Sequence, residues 1–192
     1  MKRFMAMTVL GVSLAMSAVA AENPHDPDVR YKAQQAAMAK LSALDGEWRG
    51  TAWSIAPTGV KSEVIQTERI GPFLNDSVKL IEGRAYGANG EVKFNALALI
   101  SFDPATGKYG YRAHAQSYGG DFEFEPTADG FKWKVPMGTF GTTEYTAVVK
   151  DGTWHEVGYL VTADGKRTQV LEMNLKRIGD SKWPLGTPVG PK

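Results

Sequence analysis

From Gly46 onward the chain is punctuated at short intervals by turn-forming residues. The clusters are Pro57-Thr58-Gly59, Gly71-Pro72, Gly87-Ala88-Asn89-Gly90, Asp103-Pro104, Gly119-Gly120, Ala128-Asp129-Gly130, Pro136-Met137-Gly138, Asp151-Gly152 and Asp164-Gly165. Glycine reaches positive φ at no steric cost, proline presets φ for a turn, and Asp and Asn bond their own backbone. Nine turns delimit ten strands. The segments between them are rich in Val, Ile, Thr and aromatics and alternate with period two, as in Phe122/Phe124 and Phe131/Trp133/Val135. Turns this short join antiparallel neighbours and cannot make a parallel crossover, and no helical pattern interrupts the train. A meander of this length exposes two edges unless it closes. The pattern therefore predicts a mainly β chain, an antiparallel up-and-down β-barrel of about ten strands, with a β-sandwich as the alternative.

One α-helix is expected before the strands, within 21–45. Asp26-Pro27-Asp28 offers a capping carboxylate, a proline for the first helical position and a second acid at the positive end of the dipole. The helix is predicted from about Pro27 to Leu44. Val29, Ala33, Ala36, Ala37, Leu41 and Leu44 form a narrow stripe of mostly small residues, and the other faces are polar, so this helix packs across one end of the barrel. Ahead of it, Lys2 and Arg3 precede an apolar run from Phe4 to Met16, and Ala18-Val19-Ala20 has the small residues a signal peptidase requires. Residues 1–20 are read as a secretory signal, too short to span a bilayer comfortably, and no later apolar run approaches that length. No permanent membrane anchor is expected, and the location is periplasmic or secreted. Cleavage after Ala20 removes two cations and no anion, which takes the net charge from +1 to −1. The folded domain is 46–179, and 180–192 reads as a Pro/Gly-rich tail.

Composition narrows the chemistry. With no cysteine, disulfides, thiolate metal sites, a Cys nucleophile and lipid attachment through an N-terminal Cys are all excluded. Lys and Arg nearly balance Asp and Glu with signs interspersed, so a nucleic-acid partner is not expected. Of three histidines, His25 lies in the N-terminal stretch, and His114 and His155 form no His-x-His or His-Glu-x-x-His pattern, so no metal site is assigned. No Gly-x-Ser-x-Gly elbow occurs, and the glycines at 87–90 and 138–141 are followed by no helix that would hold a phosphate. Asp121, Glu123 and Glu125 alternate with Phe122 and Phe124, the pattern of a strand's wet face. No catalytic residue is assigned, and the expectation leans away from an enzyme.

Gly46-Glu47-Trp48 opens the first strand and Lys176-Arg177 ends the last, and in a closed barrel these strands are neighbours. A Trp48 ring covered by the Arg177 guanidinium would seal the base through apolar burial and a cation–π contact. Gly-x-Trp with a basic residue on the last strand resembles the calycin pattern of lipocalins and fatty-acid-binding proteins. The longer signature, Leu44-Asp45-Gly46-Glu47-Trp48-Arg49-Gly50 with Phe102-Asp103-Pro104-Ala105-Thr106-Gly107-Lys108-Tyr109, resembles the exported bacterial proteins grouped as domain of unknown function 1579, over most of the mature chain. That resemblance implies a calycin-like barrel and no particular activity. Gly46 to Gly50 also resembles the opening of nitrobindins, barrels that ligate haem iron through a His near the last strand. Residues 168–178 contain no His, and His155, one strand earlier, is the alternative ligand. No cofactor is expected, haem being the exception that a nitrobindin-like protein would require.

Alternation nominates lining residues but leaves open which face is inside. In the fifth strand Tyr109, Tyr111, Ala113 and Ala115 share one face, and Arg112, His114 and Gln116 the other. The resemblance to fatty-acid-binding proteins implies an interior Arg that holds a carboxylate, and a guanidinium in a low-dielectric cavity is a strong anion site. Gln66 with Glu68, Glu82 with Arg84, and His155 with Tyr159 also share faces. The candidate ligand-binding set is Arg112, His114, Glu68 and Tyr159. The expected function is binding of a small lipophilic or amphipathic molecule in the lumen. The alternatives are an envelope scaffold that meets protein partners through its loops, helix face or tail, and haem binding.

Overall fold

The computed structural model describes Asn23 and residues 25–183; the expected signal peptide and the tail beyond Trp183 lie outside the described residues. Ten strands form one closed antiparallel barrel: β1 (Gly46–Ile55), β2 (Lys61–Phe73), β3 (Val78–Tyr86), β4 (Val92–Asp103), β5 (Lys108–Ala115), β6 (Tyr118–Thr127), β7 (Gly130–Pro136), β8 (Thr142–Lys150), β9 (Thr153–Val161) and β10 (Arg167–Gly179). Each strand pairs with its sequence neighbours, and β1 pairs with β10 in the register Trp48↔Arg177 to Ser54↔Leu171, which closes the wall and leaves no edge. The sandwich alternative is thereby excluded.

Helix α1 (Pro27–Ala39) begins as expected. The Asp26 carboxylate accepts from the backbone N–H groups of Asp28 and Val29, and Pro27 takes the first helical position. It stops five residues short of Leu44. The chain leaves helical geometry at Leu41 and makes a separate single turn over Ser42–Leu44, which drops both leucines into the base of the barrel. The helix lies across that end and is bolted to the loops there. Tyr31 Oη donates to the Leu74 carbonyl (2.9 Å), Gln35 Nε2 to the Asn75 carbonyl (2.7 Å), and Tyr109 Oη to the Ala37 carbonyl (3.1 Å).

Two turns fall later or earlier than the glycines suggest. Gly71-Pro72 lies within β2, and the turn is made by Leu74, Asn75 and Asp76, all at positive φ, where the helix holds two of their carbonyls. Gly119-Gly120 lies within β6, and the β5–β6 turn is Gln116-Ser117, at φ 49° and 72°.

The outer wall carries charge in cross-strand pairs, including Arg69–Glu82, Arg112–Asp121 and Arg167–Glu144. At the base, Trp48, Ile70, Ile100, Trp154 and Leu175 are each at most 3% exposed, and Trp48 meets Trp154 edge-on at 5.8 Å. Burial of each such side chain contributes roughly 1.5–3 kcal/mol. One ion pair joins this layer: Lys79, 2% exposed, donates to the Asp45 carboxylate between the helix and the barrel.

Candidate functional site

The strand pleat turns alternate residues inward, and the inward residues differ around the barrel. In β1 and β3–β5 many are small, among them Gly50, Ala52, Gly83, Ala98 and Ala113; in β6–β9 they are mostly large, among them Phe122, Phe124, Trp133, Tyr145 and Trp154. A low wall therefore faces a tall aromatic one. Above the closed base, the inward residues Glu68, Tyr111, Trp133 and Tyr145 keep some accessible surface, so the interior at this level is not closed off as the base is.

Trp133 stacks on Tyr145 at 4.1 Å and takes the edge of Tyr111 at 5.3 Å. Two carboxyl groups share this interior. Glu156 is almost fully buried and accepts from two indoles, Trp133 Nε1 at 2.8 Å and Trp154 Nε1 at 3.2 Å, one on each oxygen. Glu68 Oε1 accepts from Gln66 Nε2 at 2.7 Å, and Oε2 has no hydrogen-bond partner among the described residues. Two glycines make room for these groups. A Cβ on Gly83, the residue paired with Glu68 across β2–β3, would lie 2.8 Å from Glu68 Oε2, and one on Gly158 would lie 2.7 Å from the Tyr145 ring.

Burial dominates the electrostatics. It pushes the Glu68 carboxyl up to about 8, against the hydrogen bond from Gln66, and the charges of Glu156 and Glu82 push the same way. Burial also raises Glu156, which its two indole donors oppose. The Tyr111 hydroxyl is held well above the ordinary phenol range and Tyr145 is pushed up to about 12, both chiefly by burial. Burial thus favours the protonated form of Glu68 at neutral pH.

Of the residues nominated from sequence, only Glu68 lines this space. Arg112 and His114 lie on the outer face of β5, opposite the inward Tyr111 and Ala113, and Arg112 pairs with Asp121 at 2.6 Å in the register set by the β5–β6 hairpin. They could face inward only by expelling the tyrosines that fill the interior. Tyr159 is also outside; its cross-strand partner is Glu144, and the Arg167 guanidinium lies over its ring at 4.9 Å. Among the described residues, no guanidinium stands in the middle of the lumen where an anion site is expected. Arg177 sits beside Trp48 as expected, but its guanidinium lies against Gly46 and donates to the Asp45 carbonyl at 3.1 Å, while the Trp48 indole N–H donates to the Leu44 carbonyl at 2.8 Å. The base is sealed by a Trp–Trp contact instead of a cation–π contact.

Glu156 was missed. Its signal was parity: it stands two residues from Trp154 on the same face of β9, and a tryptophan at that position belongs to the core. His155, on the opposite parity, faces outward and approaches Glu172 at 3.4 Å. With His25 and His114 also exposed, no imidazole enters the barrel, so a haem held by histidine in the lumen does not fit these residues. Among the described residues no three His, Asp or Glu side chains converge as a metal site.

No known protein-family model matches the chain, and no curated protein matches it. Solved structures do. One is the crystal structure of Rv2717c from M. tuberculosis, with a TM-score of 0.56 and 12% identity over 74% of this chain and 97% of that one. At this identity the likeness speaks for the fold: the chain shares its barrel architecture with Rv2717c.

Proposed function

We propose that the protein is an exported, calycin-like barrel that binds a small amphipathic molecule in its lumen, by non-covalent contacts and without a resident cofactor. The observation that carries this reading is the middle of the barrel, where inward aromatic side chains and the Glu68 carboxyl keep accessible surface behind a fully packed base. Small-molecule sites combine apolar walls with a few placed polar groups. An ionisable group held among aromatic rings costs stability, and such groups concentrate at functional sites. The likeness in fold to Rv2717c and the Gly46-Glu47-Trp48 opening are in keeping with a calycin-like barrel. The 1–20 segment supports export to the periplasm or beyond, and sequencing the N-terminus of the exported protein checks cleavage after Ala20.

Native mass spectrometry of the purified protein, with melting temperatures over a panel of lipophiles, tests the lumen reading. A ligand at a hundred times its Kd stabilises by about 2.7 kcal/mol, a readily measured rise in Tm. No retained mass and no shift with any lipophile overturns it.

A second reading, a protein partner on the outer wall, is favoured by a groove of about 500 Å³ bounded by Leu97, His114, Tyr118 and Trp183, with Tyr118 81% exposed. If Tyr118→Ala abolishes capture of a partner and leaves ligand-induced shifts intact, the outer wall is the working surface.

A further inference from the structure

We propose that the molecule taken into the lumen is an organic cation with a hydrocarbon body, a protonated or quaternary amine whose charge rests on Glu68 beside the aromatic wall of Tyr111, Trp133 and Tyr145. This rests on the lumen reading and narrows it to one charge class.

Three observations carry it. First, among the described residues the ionisable side chains facing the middle of the barrel are two carboxyls and two phenols. The cations with inward parity, Lys79 and Arg177, are both at the base, where both bond to Asp45. A carboxylate ligand entering this space would meet no cation among the described residues. Second, the two carboxyls are not equivalent. Both oxygens of Glu156 are taken by indole N–H groups, which fixes that residue as part of the wall. Glu68 has one oxygen bonded to Gln66 and the other without a partner among the described residues, in room that Gly83 leaves open. Third, aromatic rings surround this carboxyl, and the negative face of an aromatic ring attracts a weakly hydrated cation and disfavours an anion.

Binding of a cation draws the proton from Glu68, so affinity must depend on pH. The groups that act on this carboxyl are Gln66 on its own strand, Glu82 on β3, Tyr111 on β5 and Glu156 on β9; its register partners are Trp48 on β1 and Gly83 on β3. The phenols stay neutral across the working range, and the two other acids, when ionised, hold the proton on Glu68 more firmly. Well below the pKa of Glu68 one proton is released per cation bound, and well above it none. Below the pKa of Glu68 the affinity therefore rises about tenfold per pH unit, and it levels off above.

The test titrates the full protein with octyltrimethylammonium, octanoate and octan-1-ol, read by tryptophan fluorescence and calorimetry between pH 6 and 9. The expected result is at least tenfold tighter binding of octyltrimethylammonium than of either partner at pH 8, with affinity climbing from pH 6 to 8 and flat above. Glu68→Gln is expected to abolish both the slope and the preference. Gly83→Ala, which places a methyl group where the carboxylate lies, is expected to weaken the cation and spare octan-1-ol, and it serves if the first variant does not fold. Octanoate or octan-1-ol binding as tightly as the cation, or affinity that falls toward pH 8, overturns the charge assignment and leaves the lumen reading standing. No response to any of the three overturns both.

Discussion

The base of the barrel and its middle are built from the same ten strands a few residues apart, yet they follow opposite rules. At the base, Trp48, Ile70, Ile100, Trp154 and Leu175 are almost wholly buried, and the buried Lys79 ammonium is matched by Asp45. In the middle, small residues on one side face large rings on the other, several inward side chains keep accessible surface, and a carboxyl stays incompletely bonded. Close packing stabilises, whereas unfilled room and an unsatisfied acid do not. The base therefore carries the stability that the middle forgoes, and substitutions at the two levels should separate in kind as well as in size.

Trp48→Ala should break that contrast most severely. It removes a side chain 1% exposed together with its edge contact to Trp154 and its bond to Leu44, and a loss of about 3–5 kcal/mol is expected in urea unfolding. Asp45→Asn comes next, because it leaves the buried Lys79 ammonium without its counter-ion. A loss of about 2–3 kcal/mol is expected, larger than for Lys79→Met, which leaves a partly exposed carboxylate that water can solvate.

Glu68→Gln sharpens the comparison in the opposite direction. An acid whose pKa stands above its ordinary value binds its proton more tightly in the folded chain, so folding stability falls as pH rises from about 4.5 to about 8. The variant lacks that contribution. Thermal melts should show the two proteins close together at pH 4 and the variant the more stable at pH 9; parallel profiles would show that Glu68 titrates normally. The smallest effect belongs to the outer wall. Arg112→Ala breaks an exposed pair with Asp121 and should leave the melting temperature and the ligand titrations unmoved.

The strand count, the closure and the start of the helix were legible because each depends on local chemistry: turn residues, period-two alternation and the Asp26-Pro27 cap. The interior was only half legible. Alternation sorted β5 into two faces but could not say that Tyr111 and not Arg112 points inward, since both sets are plausible lining. The deciding information lay in the next strand. Once the turn is placed at Gln116-Ser117, Arg112 faces Asp121 and Tyr111 faces Phe122, and the Asp121/Glu123/Glu125 series is a wet face. Reading Gly119-Gly120 as the turn hid that register. Gly119 is in the strand for a different reason, because the outward His114 ring lies over it and a Cβ there would come within 2.4 Å of Nδ1.

The seam between β1 and β10 bears on how the chain reaches its fold. Every other pairing joins strands that follow one another, so nine hairpin contacts can form locally as soon as their two strands are available. The seam instead joins Glu47 to Gly179, nearly the whole length of the domain, and cannot form until the final strand is present. Contacts of such long sequence separation form slowly. Until then β1 and β10 each present one unpaired edge, complementary to the other and equally to the same edge on a second copy. Completion of the seam is thus a race between closing on itself and joining a neighbour, and dilution favours the first outcome.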